Sequence, residues 1–209
     1  SGGVNYINSL TDSLNVIPGF GRSYQRLKRT FSNQIKGYIS YSPSSIFNLQ
    51  AGVGQHFFGD GYRSLLLSDN ASPMPYFKIT TDVWRVKYIN LFAMQKDIRG
   101  LYEYDKKFTA SHYLDWNISK KINLSLFETV VWLQKDTLLS RGFELNYLNP
   151  IIFYRPVEYA QGSADNVLMG LNFKVKVAKK TTIYSQLILD EFKLDEIRSD
   201  SGWWANKYG

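Results

Sequence analysis

Chemistry in this chain would have to run through few groups. Among 209 residues there are two histidines, His56 and His112, and no cysteine. Disulfide frameworks and thiolate metal sites are thereby excluded, and general acid–base work falls to the histidines or the carboxylates. His56 stands in "GVGQHFFGDGYRSLLLSDNASP", close to Asp60, Asp69 and Asn70. Their oxygens suit calcium, but the spacing is not that of an EF-hand loop, and Asx turns at "GDG" and "SDN" are the simpler explanation. His112 stands in "ASHYLDW". On an extended chain its same-side neighbour is Leu114, while Ser111 points the other way, so a serine nucleophile would lack its base. HExxH, G-x-S-x-G and P-loop patterns are all missing, and the "GVG" at Gly52–Gly54 precedes no helix. The chain reads as a non-enzyme, with no cofactor and no metal site.

The elements that position these residues follow from period two, and helical periodicity is almost absent. In "VLMGLNFKVKV" Val167, Met169, Leu171, Phe173, Val175 and Val177 share one face, opposite Gly170, Asn172, Lys174 and Lys176, with Leu168 as the exception. A strand of that length reaches roughly 36 Å at about 3.3 Å per residue, the span of a tilted strand crossing a bilayer. The same alternation predicts eight strands at about 34–42, 46–57, 76–81, 84–96, 108–118, 122–133, 167–177 and 182–193. A turn at 119–121 would set Trp116 against Leu124, Leu114 against Leu126 and His112 against Glu128. An ionisable pair on an apolar face is costly unless its members satisfy each other; a bulge turning Glu128 inward is the alternative.

Connection lengths alternate. The predicted short ones are 43–45, the residues around Asp82, 119–121 and 178–181; the long ones are 58–75, 97–107 and 134–166. In an antiparallel meander this gathers the tight turns at one end and the long loops at the other, an asymmetry of outer-membrane barrels. Aromatics make up 16% of the chain. Phe57, Phe58, Tyr76, Phe77, Phe108, Trp132 and Phe192 fall towards the long loops, and Tyr41, Trp84 and Tyr184 towards the short turns, as two interfacial girdles would. Lys36, Gln50, Tyr113, Asn172 and Lys174 are then expected to line a polar interior.

The net charge of +7 is scattered; "RLKRT" (Arg26–Thr30) is the densest basic stretch and is too short for a nucleic-acid site. Long ordered loops in a compact domain are usually functional. Sugars are held by aromatic faces and planar polar groups, and these loops supply both. The first carries Tyr62, Arg63, Asp69 and Asn70; later stretches add Arg155, Tyr159, Asp165, Asn166, Trp203 and Trp204. Alternatively the loops plug the interior, with Arg63 paired to Asp69 and Arg155 to Glu158.

Four stretches carry a family resemblance: "FNLQAGVGQHFFGDGYRSLLLSDNASPMPYFKITT", "HYLDWNISKKINLSLFETVVW", "NYLNPIIFYRPVEYAQGSADNVLMGLNFK" and "LDEFKLDE" with "GWWANKYG". From about Asn33 to Gly209 the chain resembles the RemB-like gliding-motility outer-membrane proteins of Bacteroidota, which are akin to Wzi-type capsule-assembly barrels. The resemblance implies an all-β, antiparallel up-and-down transmembrane β-barrel in the cell outer membrane, linked to surface polysaccharide attachment or gliding motility. Its partners would be outer-membrane lipid, surface polysaccharide and other motility or secretion proteins of that membrane. Residues 1–33 are expected to be an irregular segment or loop and 34–209 the barrel, incomplete at both ends. An outer-membrane channel for small solutes is the alternative expectation.

Overall fold

Eight strands form one antiparallel sheet in the computed structural model, with spatial order equal to chain order throughout. The structure describes residues 16–17, 20–26, 29–98, 104–134, 142, 145–148, 165–190 and 209. Two small ladders come first: β1 (Val16–Ile17) with β2 (Gly21–Arg22), and β3 (Tyr24–Arg26) with β4 (Arg29–Phe31). The meander is β5 (Gly37–Tyr41), β6 (Phe47–Gly54), β7 (Met74–Val83), β8 (Val86–Ile98), β9 (Tyr104–Trp116), β10 (Ile122–Leu133), β11 (Asn166–Ala178) and β12 (Thr181–Asp190). The all-β, up-and-down architecture expected from the alternation is therefore present. The sheet is not closed: it ends at β5 and β12. At the outer edge of β12 the backbone of Ile188 exchanges both hydrogen bonds with Gly209, at 2.8 and 3.0 Å.

Tight turns do collect at one end. Ser44 Oγ accepts from the amides of Ile46 and Phe47, and Ser119 Oγ accepts from those of Lys121 and Ile122. One hydroxyl thus closes each of these turns locally. Between β7 and β8 only Trp84 and Arg85 intervene, and Trp84 takes a φ of 56°. That left-handed residue carries β7 through Asp82, where a turn was expected, and makes the strand longer than 76–81. At the other end β8 and β9 stay paired out to Ile98 and Tyr104, leaving 99–103 between them instead of 97–107. The polar residues there, such as Asp97, Asp105 and Lys106, hide the strand from a hydrophobicity pattern. Pro75 lies on β7 beyond the last rung shared with β8, Tyr76–Ala93, so its missing N–H leaves no gap in that ladder.

Register assigns the faces. Trp116–Leu124, Leu114–Leu126 and His112–Glu128 are directly opposed, as the turn at 119–121 predicted, and pairing continues without a bulge to Lys107–Leu133. One rung of the inner face runs Asp82, Lys87, Asp115, Ser125, Asn172, Gln186. The corresponding outer rung runs Thr81, Tyr88, Leu114, Leu126, Leu171, Leu187.

Each face has a core. The inner one packs Phe58 and Leu66 of the 55–73 segment on Tyr76, Leu91, Tyr113 and Phe127. The outer one, at the long-loop end, packs Phe92, Phe108, Val130, Trp132 and Val167 with Tyr147 of a one-turn helix, Leu145–Leu148.

Candidate functional site

The 55–73 segment leaves β6 and crosses the inner face to reach β12, an arrangement of polar groups fixed by two glycines. Gly59 and Gly61 have φ of 104° and 95°. A side chain at Gly59 would collide with Gln186, and one at Gly61 with Tyr184, so only glycine serves. Between them Asp60 is turned onto the sheet. Its carboxylate accepts from Lys174 Nζ at 2.7 Å and Asn172 Nδ2 at 2.8 Å, and its backbone carbonyl accepts from Gln186 Nε2 at 3.1 Å. Gln186 Oε1 in turn accepts from the Leu65 amide at 2.9 Å. Phe58 stacks on Tyr113 at 4.8 Å and its amide donates to Leu67, which folds the segment back on itself. Alongside, Asp115 accepts from Asn123 Nδ2 at 2.7 Å and Ser125 Oγ at 2.9 Å. Around Asp60 and Asp115 the inner face is therefore a hydrogen-bonded polar network, whereas Asn166 Oδ1 and Asp190 Oδ1 on the same face are buried without a hydrogen-bond partner among the described residues.

Gln50, Tyr113, Asn172 and Lys174 share this interior face as expected. Lys36 precedes β5 and donates to Gln55. Of the two loop readings, plugging describes the 55–73 segment, but through Asp60. Arg63 forms no ion pair with Asp69: its guanidinium lies over the Tyr62 ring, 5.8 Å from the centroid.

Tyr62, Arg63, Asp69 and Asn70 are all exposed. Tyr62 and Arg63 form one pair, while Asn70 belongs to a turn in which its amide donates to Ser68 Oγ. Asp165 accepts from Tyr147 Oη at 2.7 Å and so holds the one-turn helix, and Asn166 opens β11. The structure thus brings Tyr62 to Arg63 and ties Asp165 to the outer core, and the candidate binders among the described residues do not form one cluster. Arg155, Tyr159, Trp203 and Trp204 lie outside the described residues, as do Glu158 and Phe192. The sequence reading missed Asp60 as an anchor, although its flanking glycines were a signal. It also missed Gln186 and Tyr147, for which alternation offers none.

The aromatic girdles require a correction. Towards the short turns Tyr41 and Trp84 are exposed, Trp84 at 79%, whereas Tyr184, paired with Lys174, belongs to the inner face and lies against Gly61. Towards the long loops Phe58 and Tyr76 turn inward into the core, and Phe108 and Trp132 are covered together with Tyr147, leaving Phe77 exposed. Parity sends Tyr76 to the same face as Gly52; it was never free to point outward.

Two further groups complete the picture. His112 and Glu128, at 0% and 1% exposure, are buried on the outer face, and Tyr88 Oη lies 2.7 Å from His112 Nδ1. His56 lies edge-on to Tyr76, and burial, reinforced by the Lys78 ammonium, pushes its imidazole down to about 4. It is neutral at physiological pH.

These features define an all-β protein built on an antiparallel meander whose polar face is filled by its own chain. No family model matches the sequence, and neither a curated protein nor a solved structure does.

Proposed function

We propose that the chain is the strand-bearing part of an outer-membrane β-barrel that acts by binding, in surface polysaccharide attachment or gliding motility, and without catalysis. One observation carries the membrane assignment: burial is inverted across adjacent residues. Asn172 is 0% exposed while Phe173 beside it is 37% exposed, and Ile183 of β12 is 55% exposed. Water-soluble sheets bury the opposite set, whereas a barrel wall turns its apolar residues to lipid and its polar ones inward. Closure then requires pairing beyond β5 and beyond β12, where Gly209 already pairs with Ile188. The polysaccharide and motility assignment is supported by the resemblance of the loop stretches and by the exposed Tyr62–Arg63 pair.

Site-directed spin labelling tests the membrane assignment directly, since the chain contains no native cysteine to remove. A label at Phe173→Cys in outer-membrane vesicles should be relaxed by dissolved oxygen and shielded from an aqueous nickel chelate. Relaxation by the chelate would overturn the assignment.

A small-solute channel is the second reading, favoured by the polar face itself. The 55–73 segment lies across that face, so the wild type is expected to be silent in planar bilayers. Steady conductance from it would replace binding with transport.

A further inference from the structure

Charge is distributed unevenly along the inner face. On the β9–β12 side Lys174 is neutralised by Asp60. On the β6–β7 side the cation is Lys78, partly buried and directly opposite Gln50. Among the described residues Lys78 has neither a hydrogen bond nor an ion pair. The 55–73 segment brings it no carboxylate: Asp60 is committed to β11, and Asp69 is exposed. What the segment lays against this part of the sheet is His56, edge-on to Tyr76 with ring centroids 4.1 Å apart.

The hydrogen-bonding groups gathered there are donors. Tyr76 Oη donates to Gln50 Oε1 at 2.8 Å, which leaves the Gln50 amide nitrogen to donate in its turn. His56 Nε2 is buried without a hydrogen-bond partner among the described residues. Buried polar atoms nearly always have a partner in protein, water or an ion. The approach is open on one side. Gly52, between Tyr38 and Tyr76 on the inner face, has no side chain, and β5 beyond it is exposed along its whole length. An ammonium, an amide and an imidazole N–H with no carboxylate beside them are complementary to an oxyanion, whose hydrogen bonds from such donors are charge-assisted.

We propose that Lys78, Gln50 and His56 form a binding site for a small oxyanion, a carboxylate or a phosphate group, on the inner face between the 55–73 segment and β6–β7. The ammonium supplies the charge, and the amide and imidazole fix the orientation. The site draws on the inner face alone, so it stands whatever medium the outer face meets. An anion held there also favours the imidazolium, and that coupling is reciprocal.

NMR of the full chain labelled at histidine tests it, because only two histidines contribute and His56→Gln identifies one of them. Inorganic phosphate and acetate are the probes, with sodium chloride at equal ionic strength as the reference. A bound probe should shift the His56 signal and raise its protonation midpoint from about 4 to about 5 or higher, a roughly tenfold coupling. Response to phosphate alone assigns a phosphate group; response to acetate assigns a carboxylate. Lys78→Gln should weaken the response about tenfold, the loss expected for one charge-assisted hydrogen bond. Gln50→Glu, which sets a carboxylate opposite Lys78, should abolish it, whereas Lys78→Arg should keep it and K179Q at a short turn should leave it unchanged. The signal of the buried His112 reports that each variant is folded. A His56 signal that responds to neither probe more than to chloride would overturn the proposal, as would a response that survives undiminished in folded Lys78→Gln.

Discussion

At the short-turn end of the outer face, Trp84, Phe173 and Ile183 stand exposed, whereas at the long-loop end Phe108, Val130 and Trp132 lie buried with Tyr147. The two ends belong to the same strands and have the same alternation. What separates them is cover: at the long-loop end Tyr147, held by its hydrogen bond to Asp165, packs with Trp132, Phe108 and Val130. An apolar face is thus satisfied in two ways in one sheet. One half is packed by protein; the other presents its side chains to whatever surrounds it, which under the proposed function is hydrocarbon.

The largest effect should come from the covered half. Trp132 is 2% exposed and packs on Phe108 and Tyr147. Trp132→Ala should cost about 3–5 kcal/mol, the usual loss for truncating a buried aromatic, read as a shifted denaturant midpoint. A loss below about 1 kcal/mol would mean that the cover contributes no packing, and the contrast between the two ends would collapse.

The exposed half is sharpened by Phe173→Lys. If this end meets lipid, the charge should cost about 2–4 kcal/mol in bilayer refolding titrations where it lies near the midplane. If it meets water, the change should stay within about 0.5 kcal/mol, as for ordinary surface sites. The two media give answers of different size at one position, so a single titration decides.

This split also explains what the sequence could convey. Alternation in Leu114, Trp116, Leu124 and Leu126 carries its own register once a tight turn is recognised, because both partners are near in the chain and period two leaves one solution. His112 and Glu128 were placed opposite each other on that basis alone. Trp84 was not foreseen in a left-handed conformation, since bulky residues seldom adopt it. The 55–73 segment was harder still. Asp60 meets Asn172 and Lys174 more than a hundred residues later, and a loop rich in Gly, Ser and Asp has no period from which such a contact could be read. The covering of Trp132 by Tyr147 is likewise a long-range event across a segment with no alternation.

The inner network can be loosened at its anchor. Asp60 and Lys174 are partly buried, with side-chain exposures of 22% and 33%. Asp60→Asn keeps a hydrogen-bonding side chain but removes the counter-charge. Allowing for solvent screening, it should cost about 1–2 kcal/mol and should raise proteolytic cleavage within 55–73. Unchanged protection would mean that Phe58 and Leu66, not the ion pair, hold the segment in place.

A pH scan probes the same face more gently. The unfolded imidazole of His56 protonates near 6.5, whereas the folded one resists until about 4 because of burial and then Lys78. Below 6.5 the unfolded chain therefore binds the extra proton, and stability falls as pH drops towards 4. Above 6.5 this contribution is fully present and flat. His56→Gln should remove that part of the slope, and a slope that survives in the variant would assign it to other groups.

The smallest effect is expected at the rim. Tyr62 and Arg63 are exposed and touch mainly each other, a cation–π contact worth roughly 0.5–1 kcal/mol at such sites. Y62A/R63A should therefore shift the denaturant midpoint by less than Asp60→Asn does, because neither side chain supports the sheet. Its consequence should be in binding: retention of the chain on an immobilised acidic exopolysaccharide should drop severalfold while the fold is kept. Asp69→Ala, which removes an exposed carboxylate in the same segment, provides the contrast, since losing a negative charge should not weaken attraction to an acidic glycan. Equal retention in wild type and Y62A/R63A would remove this pair from the binding surface. It would leave the rim to residues further along the chain, without disturbing the two-ended wall beneath it.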